Sequence, residues 1–277
     1  MEIISSTQNA GVKRVVLLQQ KSSERRREGM FVVEGRREIT HCLNAGYQAE
    51  ALYLCPTLWT SGDNGKSPAH EADLSESEII KLAGGEVRVV EVTPAVYAKM
   101  AYRGSTEGMI AVIHCREFSL EDLNLGSTPL IMVLESVEKP GNLGAILRSA
   151  DAAGADAVIV CDPLTDLYNP NLIRSSIGAI FNVPCVVCST DECINYLKQR
   201  GIRILTAQLQ DSKLYYDTDM HSGTAIVMGT ESTGLTDAWR QAADAHIRIP
   251  MLGRLDSLNV SVSAAILLFE AVRQRGI

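Results

Sequence analysis

From Pro129 onward the chain alternates short, nearly continuous apolar runs with segments of helical spacing. LIMVLESV, ADAVIVCD, VPCVVC, IRILTAQL, TAIVMG and HIRIPM have the length and unbroken apolarity of strands buried on both faces. Between them Asn142 to Ala153, Leu172 to Ala179, Asp191 to Arg200 and a short stretch near Thr236 read as helices, and a long helix closes the chain. This alternation predicts a parallel sheet with helices on both faces. The first half reads as a smaller α/β unit. Val12 to Glu28 is a basic helical stretch, Met30 to Glu34 a strand, and Arg36 to Ala45 an amphipathic helix stopped by Gly46. Further strands are expected at Ala49 to Cys55, Val87 to Val92 and Gly108 to His114, with a turn-rich loop over Ser61 to Ala69. Phe118 to Thr128 is polar and aperiodic. The expected organisation is therefore a domain over 1–118, a linker over 119–128 and a second domain over 129–277.

Length agrees with this division, since 277 residues are comfortable for two domains. No apolar run approaches the ~20 residues of a bilayer span, and the N-terminus lacks the basic-then-apolar order of a signal peptide. A cytoplasmic location and no membrane partner are expected. Seven cysteines without framework spacing fit a reducing compartment. Cys185, Cys188 and Cys193 form the tightest group, but no His or second CxxC lies nearby. In the run VPCVVC cysteine reads as a small apolar residue, so no metal is expected.

The net charge of −7 is unevenly distributed. Residues 1–120 carry 14 Lys+Arg against 15 Asp+Glu, and residues 121–277 carry 12 against 18. Within the first forty residues, however, eight basic residues face five acidic ones. Such a run is ordinarily a solvated helix face.

Three stretches carry chemistry. In ESVEKPGNLGAILRSADAAG (Glu135 to Gly154), Pro140 and Gly141 shape a βα turn and Asn142 is expected to cap the helix. That leaves Arg148 unexplained among small and apolar neighbours, and a helical wheel does not by itself place it at a site. In IVMGTESTGL (Ile226 to Leu235), Gly229 permits close approach of backbone to a ligand. Glu231 follows at the carboxyl end of a strand, where open α/β sheets bind ligands. In the stretch from Ile247 to Arg275, Ile249 to Met251 end a strand and Ser257 reads as the N-cap of the last helix. Asn259, expected in the first helical turn, is poorly explained by propensity, which favours a ligand contact. A further segment, Asn169 to Ala179, contains Arg174, which suits a phosphate or a structural ion pair.

In this order and spacing the three stretches resemble the signature motifs of the SpoU (TrmH-type) branch of the SPOUT superfamily, the knotted RNA ribose 2′-O-methyltransferases. The segment from Asn169 is similar to another conserved stretch of that family. The order FVVEGRREITHCLNAG, EALYLC, VTPAVYAKM, GMIAVI resembles the L30e-like substrate-binding domain that often precedes it. One turn departs, with Thr106-Glu107-Gly108 where relatives commonly carry Pro-Gln-Gly. The resemblance implies an α/β architecture: a C-terminal parallel-sheet SPOUT domain with a deep trefoil knot, after a smaller L30e-like α/β domain. It implies transfer of a methyl group from S-adenosylmethionine to a ribose 2′-hydroxyl of RNA. Asn142, Arg148, Glu231, Ser257 and Asn259 would be the catalytic set, and backbone at Gly229, Ile249 and Leu258 would hold the cofactor. Arg25, Arg26, Arg27, Arg36 and Arg174 would contact RNA.

Arg148 is often cast as the general base in the family. A guanidinium hardly ever loses its proton, so a role in binding phosphate or stabilising the forming alkoxide is preferred. A homodimer is implied, with Val260, Ile266, Leu267, Phe269 and Val272 of the last helix as material for core and interface. The extra domain leans towards ribosomal RNA; a tRNA substrate, or an RNA-binding protein without catalysis, are the alternatives. A nicotinamide dehydrogenase needs GxGxxG after a strand, and Gly141-Asn142-Leu143-Gly144 lacks that pattern.

Overall fold

The apolar runs become strands of two separate sheets, in a computed structural model that describes residues 2–58, 74–102, 107–230, 233–254 and 257–276. In chain order the first elements are β1 (Glu2–Ile4), α1 (Ala10–Gln20), α2 (Ser22–Glu28), β2 (Met30–Glu34), α3 (Arg36–Asn44), β3 (Ala49–Leu54), α4 (Glu76–Ala83), β4 (Arg88–Val92), α5 (Pro94–Met100) and β5 (Met109–His114). There follow β6 (Leu130–Glu135), α6 (Pro140–Ala152), β7 (Ala157–Cys161), α7 (Pro170–Ser176), α8 (Ala179–Asn182), β8 (Cys185–Cys188) and α9 (Thr190–Gln199). The chain ends with β9 (Arg203–Ala207), β10 (Lys213–Leu214), β11 (Thr224–Met228), α10 (Asp237–Ala242), β12 (Ala245–Arg248) and α11 (Val260–Arg275). Ser61 to Ala69, read as a loop, lies outside the described residues.

Two units result, Met1–Arg116 with Asp166–Asn182, and Glu117–Thr165 with Val183–Ile277. The first holds a mixed sheet of order β1-β4-β3-β5-β2, in which β2 and β3 run antiparallel to β5. The second holds a sheet of order β10-β12-β9-β11-β6-β7-β8, parallel at every pairing. Its central strands β6, β7 and β11 are buried along their whole length. A strand covered on both faces has no solvent side to keep polar, hence the unbroken apolar runs.

The structure departs from the sequence reading at several points. The basic stretch over Val12 to Glu28 breaks into two helices at Lys21, whose backbone is extended. The segment read as a linker carries Leu120 and Leu123, buried in the second unit's core. The stretch Asp166–Asn182 falls within 129–277 but packs with the first unit. Its anchors are aromatic: Tyr168 stacks on Phe31 at 4.2 Å between centroids, and Phe181 packs edge-on against Tyr47 at 5.3 Å.

Candidate active site

Parallel strands end at a common edge, and there the three sequence stretches meet in the second unit. Strand β6 leads through Ser136 to α6, which begins at Pro140, with Lys139 at its N-cap and no side-chain cap. Asn142 therefore does not cap this helix; it sits within the first turn. The cap of α11 is also not where the sequence suggested. Asn259, not Ser257, holds the N-cap position, its Oδ1 accepting from the Ser261 N–H at 3.0 Å and the Ser261 hydroxyl at 2.6 Å. An asparagine poorly suited to a helix interior is among the best caps, so its presence is explained without a ligand. The Asn259 Nδ2 donates to Asn142 Oδ1 at 3.2 Å, tying the third stretch to the first.

Between β9, β11, β12 and α11 lies a cleft of about 410 Å³, within the roughly 300–1,000 Å³ of small-molecule sites. Gly229, Ile249, Ser257 and Leu258 all line it, as does Gln208. The sequence reading did not name Gln208, and nothing in its local pattern marks it. Gln208 Oε1 is buried and, among the described residues, has no hydrogen-bond donor. Its amide nitrogen is engaged by the Gln210 carbonyl at 3.0 Å. Apolar walls from Met228, Leu235, Ile247 and Leu267 with one unpaired acceptor suit a ligand with a flat apolar body and a hydroxyl or amine to donate.

Gly229 also meets a steric need within the protein itself. A Cβ there would lie 2.3 Å from the carbonyl carbon and oxygen of Gly234 and 2.6 Å from the Leu235 nitrogen. The glycine allows the Gly234 and Leu235 backbone to pack directly against it. Thr230 shapes the same loop: its hydroxyl accepts from the Thr233 N–H at 3.0 Å, and its carbonyl accepts from Gly234 at 3.1 Å. Glu231 lies outside the described residues.

A residue the sequence reading passed over supports this loop. Glu135, last in β6, is 4% exposed. Its carboxylate accepts from the Thr236 N–H at 2.9 Å, the Thr236 hydroxyl at 2.7 Å and the Thr190 hydroxyl at 3.3 Å. A carboxylate at the end of a fully apolar strand was the available signal, since burial there demands partners.

Arg148 is exposed on α6 and, among the described residues, forms no ion pair. It does not line the cleft. The expected RNA contacts divide. Arg25 is overturned: it is 4% exposed, pairs with Asp166 at 2.6 Å and donates to the Leu18 and Gln19 carbonyls. Burial removes it from any polyanion. Arg27 is exposed but paired with Glu24 and Glu28, and Arg36 is half-buried. Arg26 and Arg174 are exposed, and among the described residues neither forms an ion pair. Of the two readings of Arg174, the structural ion pair thus finds no partner among those residues.

Comparison with known proteins fits this site. Residues 129–269 match the SpoU rRNA Methylase family, and residues 9–111 match an MRM3-like substrate binding domain. A 23S rRNA (guanosine-2'-O-)-methyltransferase RlmB from Ralstonia nicotianae is 39% identical over 217 residues, covering 76% of this chain and 86% of that protein. A 23S rRNA (uridine(2479)-2'-O)-methyltransferase from Streptomyces viridochromogenes is 28% identical over 278 residues, covering 98% and 92%. The crystal structure of an AdoMet-bound rRNA methyltransferase from Sinorhizobium meliloti superposes with a TM-score of 0.85 at 27% identity, covering 98% of this chain and 97% of that one.

Proposed function

This chain belongs to the SpoU rRNA methylase family, and we propose that it transfers a methyl group from S-adenosylmethionine to a ribose 2′-hydroxyl of ribosomal RNA. The observation that carries the reading is the meeting of its second and third sequence stretches around one cleft, with Asn259 joining the first stretch to its rim. The cleft fits an adenosyl group: its apolar walls would take the base, and Gln208 Oε1 would offer an acceptor to a hydroxyl or amine. Backbone at Gly229, Ile249 and Leu258 would hold it. When bound, S-adenosylmethionine supplies an electrophilic methyl group.

The protein's task is to bring a weak nucleophile into line and ease loss of its proton. Arg148 is exposed and forms no ion pair among the described residues, which leaves its guanidinium fork available to an RNA phosphate or the forming alkoxide. Asn142 and Asn259 hold the rim where the ribose would sit. Ser257 lies on the cleft wall, and Glu231 completes the proposed set. The first unit would position the RNA, with Arg26 and Arg174 as phosphate contacts.

Three further expectations belong to this reading. The second unit would carry the deep trefoil knot that the family resemblance implies. The protein would act in the cytoplasm; no helix among the described residues is long and apolar enough to cross a membrane. It would work as a homodimer. Val262 and Phe269, one heptad apart on α11, are 48% and 47% exposed and share a face, whereas Leu267 is in the core. Light scattering tests the dimer. Methyl incorporation from labelled S-adenosylmethionine into 23S rRNA, with mapping of 2′-O-methyl positions in cells with and without the gene, tests the activity. Cofactor binding without transfer to any ribosomal RNA would refute it.

A further inference from the structure

Away from the cleft, the second unit gathers three cysteines that the sequence does not group. Cys161 ends β7, Cys188 ends β8, and Cys193 lies in the first turns of α9. Cys161 and Cys188 are register partners on neighbouring parallel strands, so their side chains share a face, and α9 lays Cys193 over them. The three sulfurs lie within 4.8 Å of one another. Cys185 is excluded, because three residues along a strand reverse the face. We propose that Cys161, Cys188 and Cys193 form a three-thiolate site for a soft monovalent d¹⁰ cation, of which Cu(I) is the type.

Geometry decides the coordination. Three sulfurs around one cation at about 2.3 Å stand about 4.0 Å apart when planar, so closure needs movements of less than about an ångström from the present positions. Soft thiolates select soft cations. A tetrahedral Zn²⁺ would want a fourth donor, and the neighbouring carboxylates are committed: Glu135, the register partner of Cys161, already accepts from Thr190 and Thr236. Asp162 Oδ2 accepts from the Thr190 N–H at 3.1 Å, and Glu192 Oε2 accepts from the Ser189 N–H at 2.8 Å and hydroxyl at 2.7 Å. The surroundings are apolar core, with Cys161 and Cys193 wholly buried and Cys188 half-buried. Cys188 is thus the point of entry. Each thiol that ligates releases its proton to solvent, so uptake weakens as pH falls.

The site would also bear on the cleft. Thr190, between Cys188 and Cys193 in the chain, donates to Glu135, which in turn holds Thr236 at the end of the cleft loop. The test uses full-length reduced protein under anaerobic conditions, titrated with Cu(I) against a chromophoric Cu(I) chelator. One equivalent per chain is expected. Cys188→Ala, at the least buried position, should weaken it by more than about tenfold, since even changes outside the ligand shell cost that much. Cys185→Ala should leave the affinity unchanged, and circular dichroism confirms that both variants fold. Absence of uptake, uptake unaffected by Cys188→Ala, or uptake lost equally in Cys185→Ala would overturn the proposal. So would a result in which the reduced protein takes no Cu(I) and oxidation merely joins Cys188 to Cys161 or Cys193 as a disulfide.

Discussion

Asn259 and Asn142, 117 positions apart in the chain, are joined by one hydrogen bond of 3.2 Å. Asn259 also caps α11, which separates their variants. Asn259→Ala removes the α11 cap and should cost about 1 kcal/mol, a melting shift of roughly 2–4 °C for a chain of this size, together with turnover. Asn142→Ala, in an uncapped first turn, should leave the melting temperature nearly unchanged and still lower turnover. Thermal melts and single-turnover methylation on both variants check this; equal melting losses would refute the division.

Arg148→Ala should leave stability within about 0.5 kcal/mol, as for exposed residues without partners. Affinity for S-adenosylmethionine should also hold, because the side chain is not in the cleft. Methyl transfer should fall by on the order of 10²-fold or more. Arg148→Lys should restore little if the fork geometry of the guanidinium matters. Calorimetry and single-turnover rates decide; loss of cofactor binding would place Arg148 elsewhere.

Glu135 and Gly229 act on one loop from opposite sides. Glu135→Ala leaves the Thr236 N–H and hydroxyl without their acceptor, at a cost of about 1–3 kcal/mol, and should weaken cofactor binding. Glu135→Gln should recover part of both losses through its carbonyl oxygen. Gly229→Ala should weaken cofactor binding as well, since its Cβ pushes the Gly234–Leu235 backbone. Unchanged affinity in Glu135→Ala would disconnect β6 from the cleft.

Among the basic residues, burial separates structure from binding. Arg25→Ala should destabilise the first unit by about 3–5 kcal/mol, because it leaves Asp166 without its partner. Arg26→Ala and Arg174→Ala should leave stability alone and each reduce the salt dependence of RNA binding by about one phosphate contact. Filter-binding across a salt series distinguishes them. A chain cut at Phe118 would also lose Phe31 and Tyr47, against which Tyr168 and Phe181 pack, and is expected to aggregate.

The Arg14 guanidinium forks onto Glu50 with both contacts at 2.8 Å, holding that carboxyl below its usual range. A depressed acid stabilises the fold at pH values above its unfolded pKa, and the contribution disappears as pH falls through the folded one. Arg14→Ala should therefore lower stability at neutral pH, and the difference should vanish in acid below the ordinary carboxylate range. Both groups are about a third exposed, so the effect is on the order of 1 kcal/mol or less. A difference persisting unchanged at low pH would assign it to packing instead.

The strands of the second unit were legible in the sequence because burial on both faces leaves no polar alternation to confuse them. β6, β7, β8, β9 and β11 fall within the apolar runs, β12 begins one residue ahead of its run, and the three chemical stretches stand at their ends. Helix ends were less legible. Ser257 and Asn142 are good caps by composition, yet the chain caps α11 with Asn259 and leaves α6 without a side-chain cap. Local propensity ranks residues, but the path of the incoming loop selects among them. Arg25 could not be told from Arg26 on one wheel of a basic helix until the packing of Asp166 buried one and left the other in water. The Cys161, Cys188 and Cys193 group, Gln208 in the cleft wall and the placement of Asp166–Asn182 with the first unit were likewise decided by tertiary structure. Each depends on which strands become neighbours in the sheet or which segments pack together, a long-range outcome that no local periodicity encodes.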